Sequence, residues 1–169
     1  MILYPKLYLE KVTDITIEIL KKYHIEALIL DMDNTLLDFD KKIVEGGKQW
    51  VEQLKRNGIK ICIASNSGKK EKVEMLSNEL GIENYILWSM KPLKFGVKKA
   101  QKILKTKNEN IAVVGDQIFT DVIVANRCHM FSILVKPIKE KDIWITKMKR
   151  PFENHIIQKF LKETKEGEK

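Results

Sequence analysis

Alternating strand and helix patterns predict an α/β fold of three layers, with a parallel, doubly wound sheet between helices. Three observations carry that prediction. Apolar runs of strand length at residues 27–30, 59–64, 85–89 and 111–114 are separated by segments of helical periodicity. Each of these runs leads into polar residues able to act on a phosphate. A fifth run, Phe131 to Val135, precedes Lys136-Pro137. With 169 residues and 44% hydrophobic content, the chain can bury a sizeable core as one domain.

In chain order, residues 13–23 form the first helix candidate, with Ile15, Ile19 and Leu20 on one side and Thr13 or Asp14 as cap. The helix at 46–57 would bury Trp50, Val51 and Leu54 and stop at Gly58. The next, at 69–80, carries Val73, Leu76 and Leu80 and stops at Gly81. Residues 93–105 give another, with Val97, Ala100, Ile103 and Leu104 inward. The single domain is expected to span residues 1–161, and the charged segment 162–169 to fray.

The chemistry starts at Asp31-Met32-Asp33-Asn34-Thr35-Leu36, directly after the run Ala27–Leu30. On extended backbone, carboxylates at i and i+2 share a face. Two like charges held close are costly unless a cation neutralises them or one is protonated. Oxygen ligands suit a hard ion such as Mg²⁺. One carboxylate can then attack phosphorus while the other handles the leaving group's proton. The other reading of this stretch is a strand end followed by a turn.

The later strand ends add Ser65-Asn66, Lys91-Pro92 and Gly115-Asp116 with Asp121. Singly, Ser65 and Asn66 could cap a helix, Lys91 could be a solvated surface group, and Asp121 could sit at a helix terminus. Jointly, they lie where open α/β sheets bind ligands, beyond the carboxyl ends of the strands, and should converge.

In this order, DxDNT, Ser-Asn, Lys-Pro and GDxxxxD resemble the four motifs of the haloacid dehalogenase (HAD) superfamily of phosphatases, over residues 25–130. The wording DMDNTL, ASNS, MKP and GDQIFTD, with Ala125-Asn126-Arg127 after it, is most similar to the YqeG family of HAD subclass IIIA phosphatases. That family is related to phosphatases acting on phosphatidylglycerophosphate in mitochondria and plastids. The resemblance implies a HAD-like Rossmannoid fold and an Mg²⁺-dependent phosphomonoesterase. It makes Asp31 the nucleophile, forming an aspartyl-phosphate, and Asp33 the general acid and then base. The Asp31 and Asp116 carboxylates and the Asp33 backbone carbonyl would hold Mg²⁺. Ser65 and the Asn66 backbone N–H would bind phosphoryl oxygens, and Lys91 would neutralise the nucleophile and the developing charge. Asp121 would orient Lys91 or a water on the metal. Asn34 and Thr35 would shape the substrate loop, and Arg127 is a candidate substrate contact.

In this superfamily an inserted cap domain often closes the site. Only residues 34–62 lie between Asp33 and Ile63, and residues 67–90 between Asn66 and Lys91, so no large cap fits. An open site favours a bulky phosphomonoester, a lipid head group among them, or a cap supplied by oligomerisation. By the family resemblance, phosphatidylglycerophosphate is the expected substrate. The alternatives are a soluble or nucleic-acid phosphomonoester, or a phosphate-sensing partner of a ribosome-linked GTPase.

Rival motifs fall away. Ser67-Gly68-Lys69-Lys70 resembles a phosphate-binding loop, but Ile63 stands where that pattern needs its first glycine. No GxGxxG follows the first strand. Cys62 and Cys128 give neither a disulfide framework nor a metal spacing, and His24, His129 and His155 are scattered. A reducing cytoplasm is expected, since no leader pattern or membrane-spanning run is visible.

Net charge is +8. Residues 91–107 hold seven Lys and no acid. Residues 136–150 hold six basic groups against Glu140 and Asp142, interspersed with Ile143, Trp144, Ile145 and Met148. Such surfaces suit peripheral contact with an anionic membrane at its inner face. The competing reading is lysines that merely solvate helix faces. No motif supports specific nucleic-acid binding.

Overall fold

The computed structural model describes residues 1–139 and 144–167. Of the basic stretch at 136–150, residues 140–143 lie outside the described residues.

Six strands form one parallel sheet: β1 (Leu7–Leu9), β2 (Ala27–Leu30), β3 (Lys60–Ala64), β4 (Asn84–Ile86), β5 (Ile111–Gly115) and β6 (Phe131–Val135). Their spatial order is β1-β6-β5-β2-β3-β4. At the centre, Leu30 of β2 stands beside Ile63 of β3 and Val114 of β5. The strand carrying the Asp31 motif is therefore flanked by those leading to Ser65 and Asp116.

Alternation along the strands sorts the core into two layers. Leu28, Leu30, Ile61, Ile63, Ala112 and Val114 pack on one face. They meet Ile17 and Leu20 of α1 (Ile17–Lys22), Trp50, Val51 and Leu54 of α2 (Gly47–Arg56), and Val73, Leu76 and Leu80 of α3 (Lys70–Leu80). Ala27, Ile29, Cys62, Ala64, Ile111 and Val113 pack on the other. Their partners there are Val97, Ala100 and Leu104 of α4 (Lys94–Leu104), with Val124 and Ala125 of α5 (Ile123–Arg127). Burial on both faces is why the central strands read as unbroken apolar runs.

Several expectations need correction. The first helix is shorter than 13–23, because a 3-10 turn at Val12–Asp14 precedes it. Asp14 accepts from the Lys11 N–H at 3.1 Å and closes that turn, so Thr16 is the cap of α1, accepting from the Ile19 N–H at 3.3 Å. Ile103 faces solvent, because Val97, Ala100 and Leu104 already form the inward seam of α4. The fourth strand ends at Ile86 instead of reaching 89, since Trp88 and Met90 take left-handed backbone angles (φ 51° and 56°).

Two elements carried no readable signal. β1 is three residues long and pairs Leu7–Leu9 with Ile133–Val135. A final helix, α6, spans Trp144–Gly167 with Pro151 inside it. It runs beyond residue 161, so the segment expected to fray is helical through Gly167. Its contacts explain that: Ile156 and Ile157 pack on Ile118, Val122 and Leu134, and the Tyr4 hydroxyl donates to Glu163 at 3.1 Å.

Residues 31–46 form a tight loop on which Asp33 bridges Leu37 and Leu37 bridges Ile43. Among the described residues there is no inserted cap domain. None of their helices is long and apolar enough to cross a membrane.

Candidate active site

The tip of β2 sets the first group. The Asp31 N–H donates to the Val114 carbonyl at 2.8 Å, which fixes the backbone where its strand ends. The chain then turns sharply. The N–H groups of Thr35, Leu36 and Leu37 all point at the Met32 carbonyl, at 3.3, 2.9 and 3.0 Å. Asn34 takes a left-handed φ of 61°, donates from its N–H to Leu37 at 2.7 Å and accepts at its carbonyl from Ile138 at 3.0 Å. Asn34 and Thr35 are both buried, and Asn34 borders the open cleft.

Lys91 brings the strand ends together. Its ammonium donates to Asp31 at 2.6 Å and to Asp121 at 2.7 Å, and it is buried. Burial works to lower its pKa, but Asp121 and Asp31 outweigh that and hold it above the ordinary lysine value. Burial likewise pushes the Asp31 carboxyl up to about 7; Lys91 opposes the shift, while Asp121 and Asp33 add to it.

Carboxylate oxygens of Asp31, Asp116 and Asp121 lie within 4.8 Å of one another. Three carboxylates thus gather beside the Lys91 ammonium, which bonds two of them. An all-oxygen set of this kind fits a hard divalent cation. Gly115 makes the crowding possible, because a Cβ there would come within 2.2 Å of Asp121 Cγ. Asp121 stands in a π-helical turn, Ile118–Val122, where its Oδ2 accepts from Thr120 at 3.1 Å and from the Gln117 N–H at 3.3 Å.

The Lys91 backbone is clasped from both sides. Asn66 Oδ1 accepts from the Lys91 N–H at 2.8 Å and the Ser89 hydroxyl at 2.7 Å, and its Nδ2 donates to the Lys91 carbonyl at 2.9 Å. Arg127 donates to the Pro92 carbonyl at 3.1 Å. The side chains of Asn66 and Arg127 thus hold the lysine loop in place, and Arg127 meets backbone rather than the open cleft. Ser65 is buried, and its Oγ accepts from the Ser67 N–H at 3.0 Å, leaving the hydroxyl proton to donate.

Asp33 does not join the buried cluster; it lies at the mouth, paired with Lys72 of α3. The cleft beside it, about 1130 Å³, is lined by Asn34, Phe39, Lys41, Lys69, Lys70 and Gln117 among others. Sequence reading missed Lys72 and Lys139, and gave Gly115 no role of its own beyond its place in the motif. Lys139 bridges Asp38 at 2.8 Å and Asp40 at 2.6 Å, pinning the loop after Asp33, and its hydrogen bond holds the Asp38 carboxyl below the usual range. A signal for Lys72 was present: Lys70 and Lys72 open α3, where the helix dipole disfavours cations. Lys70 pairs within the helix with Glu74, whereas Lys72 reaches outside it to Asp33.

Chemically, this geometry offers a carboxylate with a fixed counter-ion, a cluster of three carboxylates, a buried hydroxyl on the β3 loop and a further carboxylate open to solvent.

Similarity to known proteins extends over family and fold. The family model described as mitochondrial PGP phosphatase matches residues 1–139. The chain is 34% identical over 158 residues to the probable phosphatase YqeG of Bacillus subtilis (strain 168), covering 90% of this chain and 88% of that one. Its fold is similar to the cobalt-bound deoxy-D-mannose-octulosonate 8-phosphate phosphatase of Haemophilus influenzae. That match has a TM-score of 0.56 and 17% identity, over 68% of this chain and 70% of the other. An uncharacterized protein from Listeria monocytogenes serotype 4b matches with a TM-score of 0.57 and 19% identity, over 70% of this chain and 85% of its own.

Proposed function

The chain belongs to the PGP phosphatase family and is a phosphatase of the HAD type, and from that premise we propose that it hydrolyses phosphatidylglycerophosphate with Mg²⁺ at the cytoplasmic face of a membrane. The observation that carries the reading is the Lys91 bridge between Asp31 and Asp121, beside Asp116, at the ends of adjacent strands.

Asp31 attacks phosphorus in line and becomes an aspartyl-phosphate while the P–O bond to the glycerol breaks. Asp33, at the mouth, gives its proton to the departing alkoxide. It then takes a proton from the water that attacks the aspartyl-phosphate, releasing inorganic phosphate and restoring Asp31. Lys91 holds the Asp31 carboxylate oriented and offsets charge on the transferring group. The Ser65 hydroxyl and the Asn66 N–H donate to phosphoryl oxygens. Asp31, Asp116 and the Asp33 carbonyl would hold Mg²⁺, which supplies Lewis-acid stabilisation of the phosphoryl oxygens. Asp121 keeps Lys91 aimed at Asp31.

The open cleft supports a bulky substrate. Its basic wall of Lys41, Lys69 and Lys70 suits a second anionic group, such as the phosphodiester of this lipid. The test is phosphate release with Mg²⁺ from phosphatidylglycerophosphate in mixed micelles, against a panel of soluble phosphomonoesters. Preference for the lipid, lost in Asp31→Asn, is the expected result. Equal or better turnover of a soluble ester would sink the lipid assignment and leave the phosphatase standing.

A further inference from the structure

The loop that carries Lys91 is inside out. In this loop the polar side chains of Ser89 and Lys91 turn inward: Ser89 reaches Asn66, and Lys91 reaches Asp31 and Asp121. The large apolar ones turn outward. Trp88 is 67% exposed, Met90 53%, Leu93 50% and Phe95 71%. These residues stand together, because the Leu93 N–H closes on the Met90 carbonyl at 2.8 Å and the Gly96 N–H on the Ser89 carbonyl at 3.2 Å. Trp88 and Met90 hold left-handed backbone angles, uncommon for bulky residues, and in doing so face solvent. Trp88 also lies so close over Gly68 that a Cβ there would come within 2.0 Å of the ring. Single exposed apolar residues are ordinary, but four on one closed loop mark a contact surface.

The charge around this crown names the contact. α4 continues from the loop with Lys94, Lys99 and Lys102 exposed, and no acidic residue lies between Glu83 and Glu109. Phe95, Lys99 and the exposed Ile103 fall at i, i+4 and i+8, one line along the helix. Aromatic and aliphatic tips that enter the head-group region, ringed by lysines that meet phosphates, are the chemistry of an anionic bilayer surface. Two copies of this face would oppose lysine to lysine. Single-stranded nucleic acid would stack on Trp88 and Phe95 but gain nothing from Met90 and Leu93, whereas a bilayer takes in all four.

We propose that the Trp88–Phe95 loop and the exposed face of α4 form a docking surface for an anionic lipid bilayer. The inference rests on the lipid-phosphatase reading above and deepens it. Docking through this loop sets the membrane against the segment whose inner side holds the nucleophile. A head-group phosphate then reaches Asp31 without the lipid leaving the bilayer.

The test is flotation of the full chain with vesicles of phosphatidylcholine alone and of phosphatidylcholine mixed with phosphatidylglycerol. Wild type and Asp31→Asn are expected to float with the mixed vesicles and not with phosphatidylcholine alone. The double variant Leu93→Glu/Phe95→Glu should lose partitioning at least about tenfold. Lys99→Gln/Lys102→Gln should also lose at least about tenfold, since each lysine near an anionic surface adds about fivefold. Both should keep wild-type hydrolysis of a soluble phosphomonoester, which shows them folded. Undiminished flotation of Leu93→Glu/Phe95→Glu overturns the proposal, as does equal flotation on both vesicles. A dimer, or retention of single-stranded RNA, that this variant abolishes while wild type ignores vesicles overturns it in favour of those occupants. Flotation needs no turnover, so docking without lipid hydrolysis would refute the substrate and leave the surface intact.

Discussion

Two lysine–carboxylate contacts of the same chemistry stand on opposite sides of this site. At the sheet, Lys91 bridges Asp31 and Asp121, with side chains 2%, 12% and 2% exposed. At the mouth, Lys72 pairs with Asp33, with side chains 19% and 52% exposed. Breaking a buried pair by removing one partner strands a charge and costs about 3–5 kcal/mol, whereas an exposed pair is worth about 0–1 kcal/mol. The inner contact is therefore part of the fold, whereas the outer one costs little to open. The group proposed as nucleophile is held by the fold, while the group proposed to move protons stays adjustable.

The largest effects should come from the inner set. Asp31→Asn is expected to lower phosphate release by about 10⁴-fold or more while the protein stays folded, read by single-turnover assay and circular dichroism. Lys91→Met should cost about 10³-fold in kcat and about 3–5 kcal/mol of stability in urea, because Asp31 and Asp121 are left facing each other. Adding Asp121→Asn to Lys91→Met should return part of the stability and none of the activity. If Lys91→Met unfolds with the wild-type midpoint, the inner contact is no more structural than the outer one.

Proton linkage should distinguish the inner contact next. The Asp31 carboxyl titrates at about 7 in the folded, metal-free protein, above the ordinary aspartate value of about 3.9. A group raised on folding contributes its stability fully below the unfolded value and loses it as pH rises through the folded one. Lys91, also raised on folding, keeps its contribution unchanged over this window, since both of its values lie above it. Between about pH 4 and 7, metal-free wild type should therefore lose stability relative to Asp31→Asn, by at most about 1.4 kcal/mol per pH unit. Mg²⁺ added at pH 8 should stabilise wild type more than the variant. Parallel stability curves for the two proteins would show that Asp31 is not crowded by its neighbours.

Legibility in the sequence follows the same division. The central strands were readable because burial on both faces leaves continuous apolar runs, and the strand at Phe131–Val135 matched residue for residue. Helices α2, α3 and α4 were readable within a residue or so from amphipathic spacing and glycine stops. Edge strand β1 is too short to show a period, and α6 is held by contacts from Tyr4 and the Ile118 turn that lie far away in sequence. Within the site, Asp31, Lys91, Asp116 and Asp121 converge as strand-end logic requires, and Ser65 stands at the end of the neighbouring strand. The side-chain work of Asn66 and Arg127 on the Lys91 loop was hidden, because it links backbone groups that only the fold brings near. Lys72 was missed in another way: its place in the first turn of α3 is unusual for a cation, but Lys70 shares it, and the reach to Asp33 is what sets Lys72 apart.

That reach gives the smallest and most discriminating prediction. Lys72→Met removes the partner of an exposed carboxylate, so stability in urea should change by less than about 0.5 kcal/mol. Activity should still fall, by about three- to tenfold, because Asp33 loses the contact that sets its side chain over the cleft and proton transfer depends on position. The loss should appear in kcat, and the KM for a small soluble ester should hold, since such an ester does not span the basic wall. A fall in stability as large as that of Lys91→Met would erase the contrast between the two contacts. Unchanged kcat would make the Lys72 pair a surface ion pair without a part in the reaction. The predicted combination, a kinetic cost without a folding cost, is what separates a movable contact from a structural one.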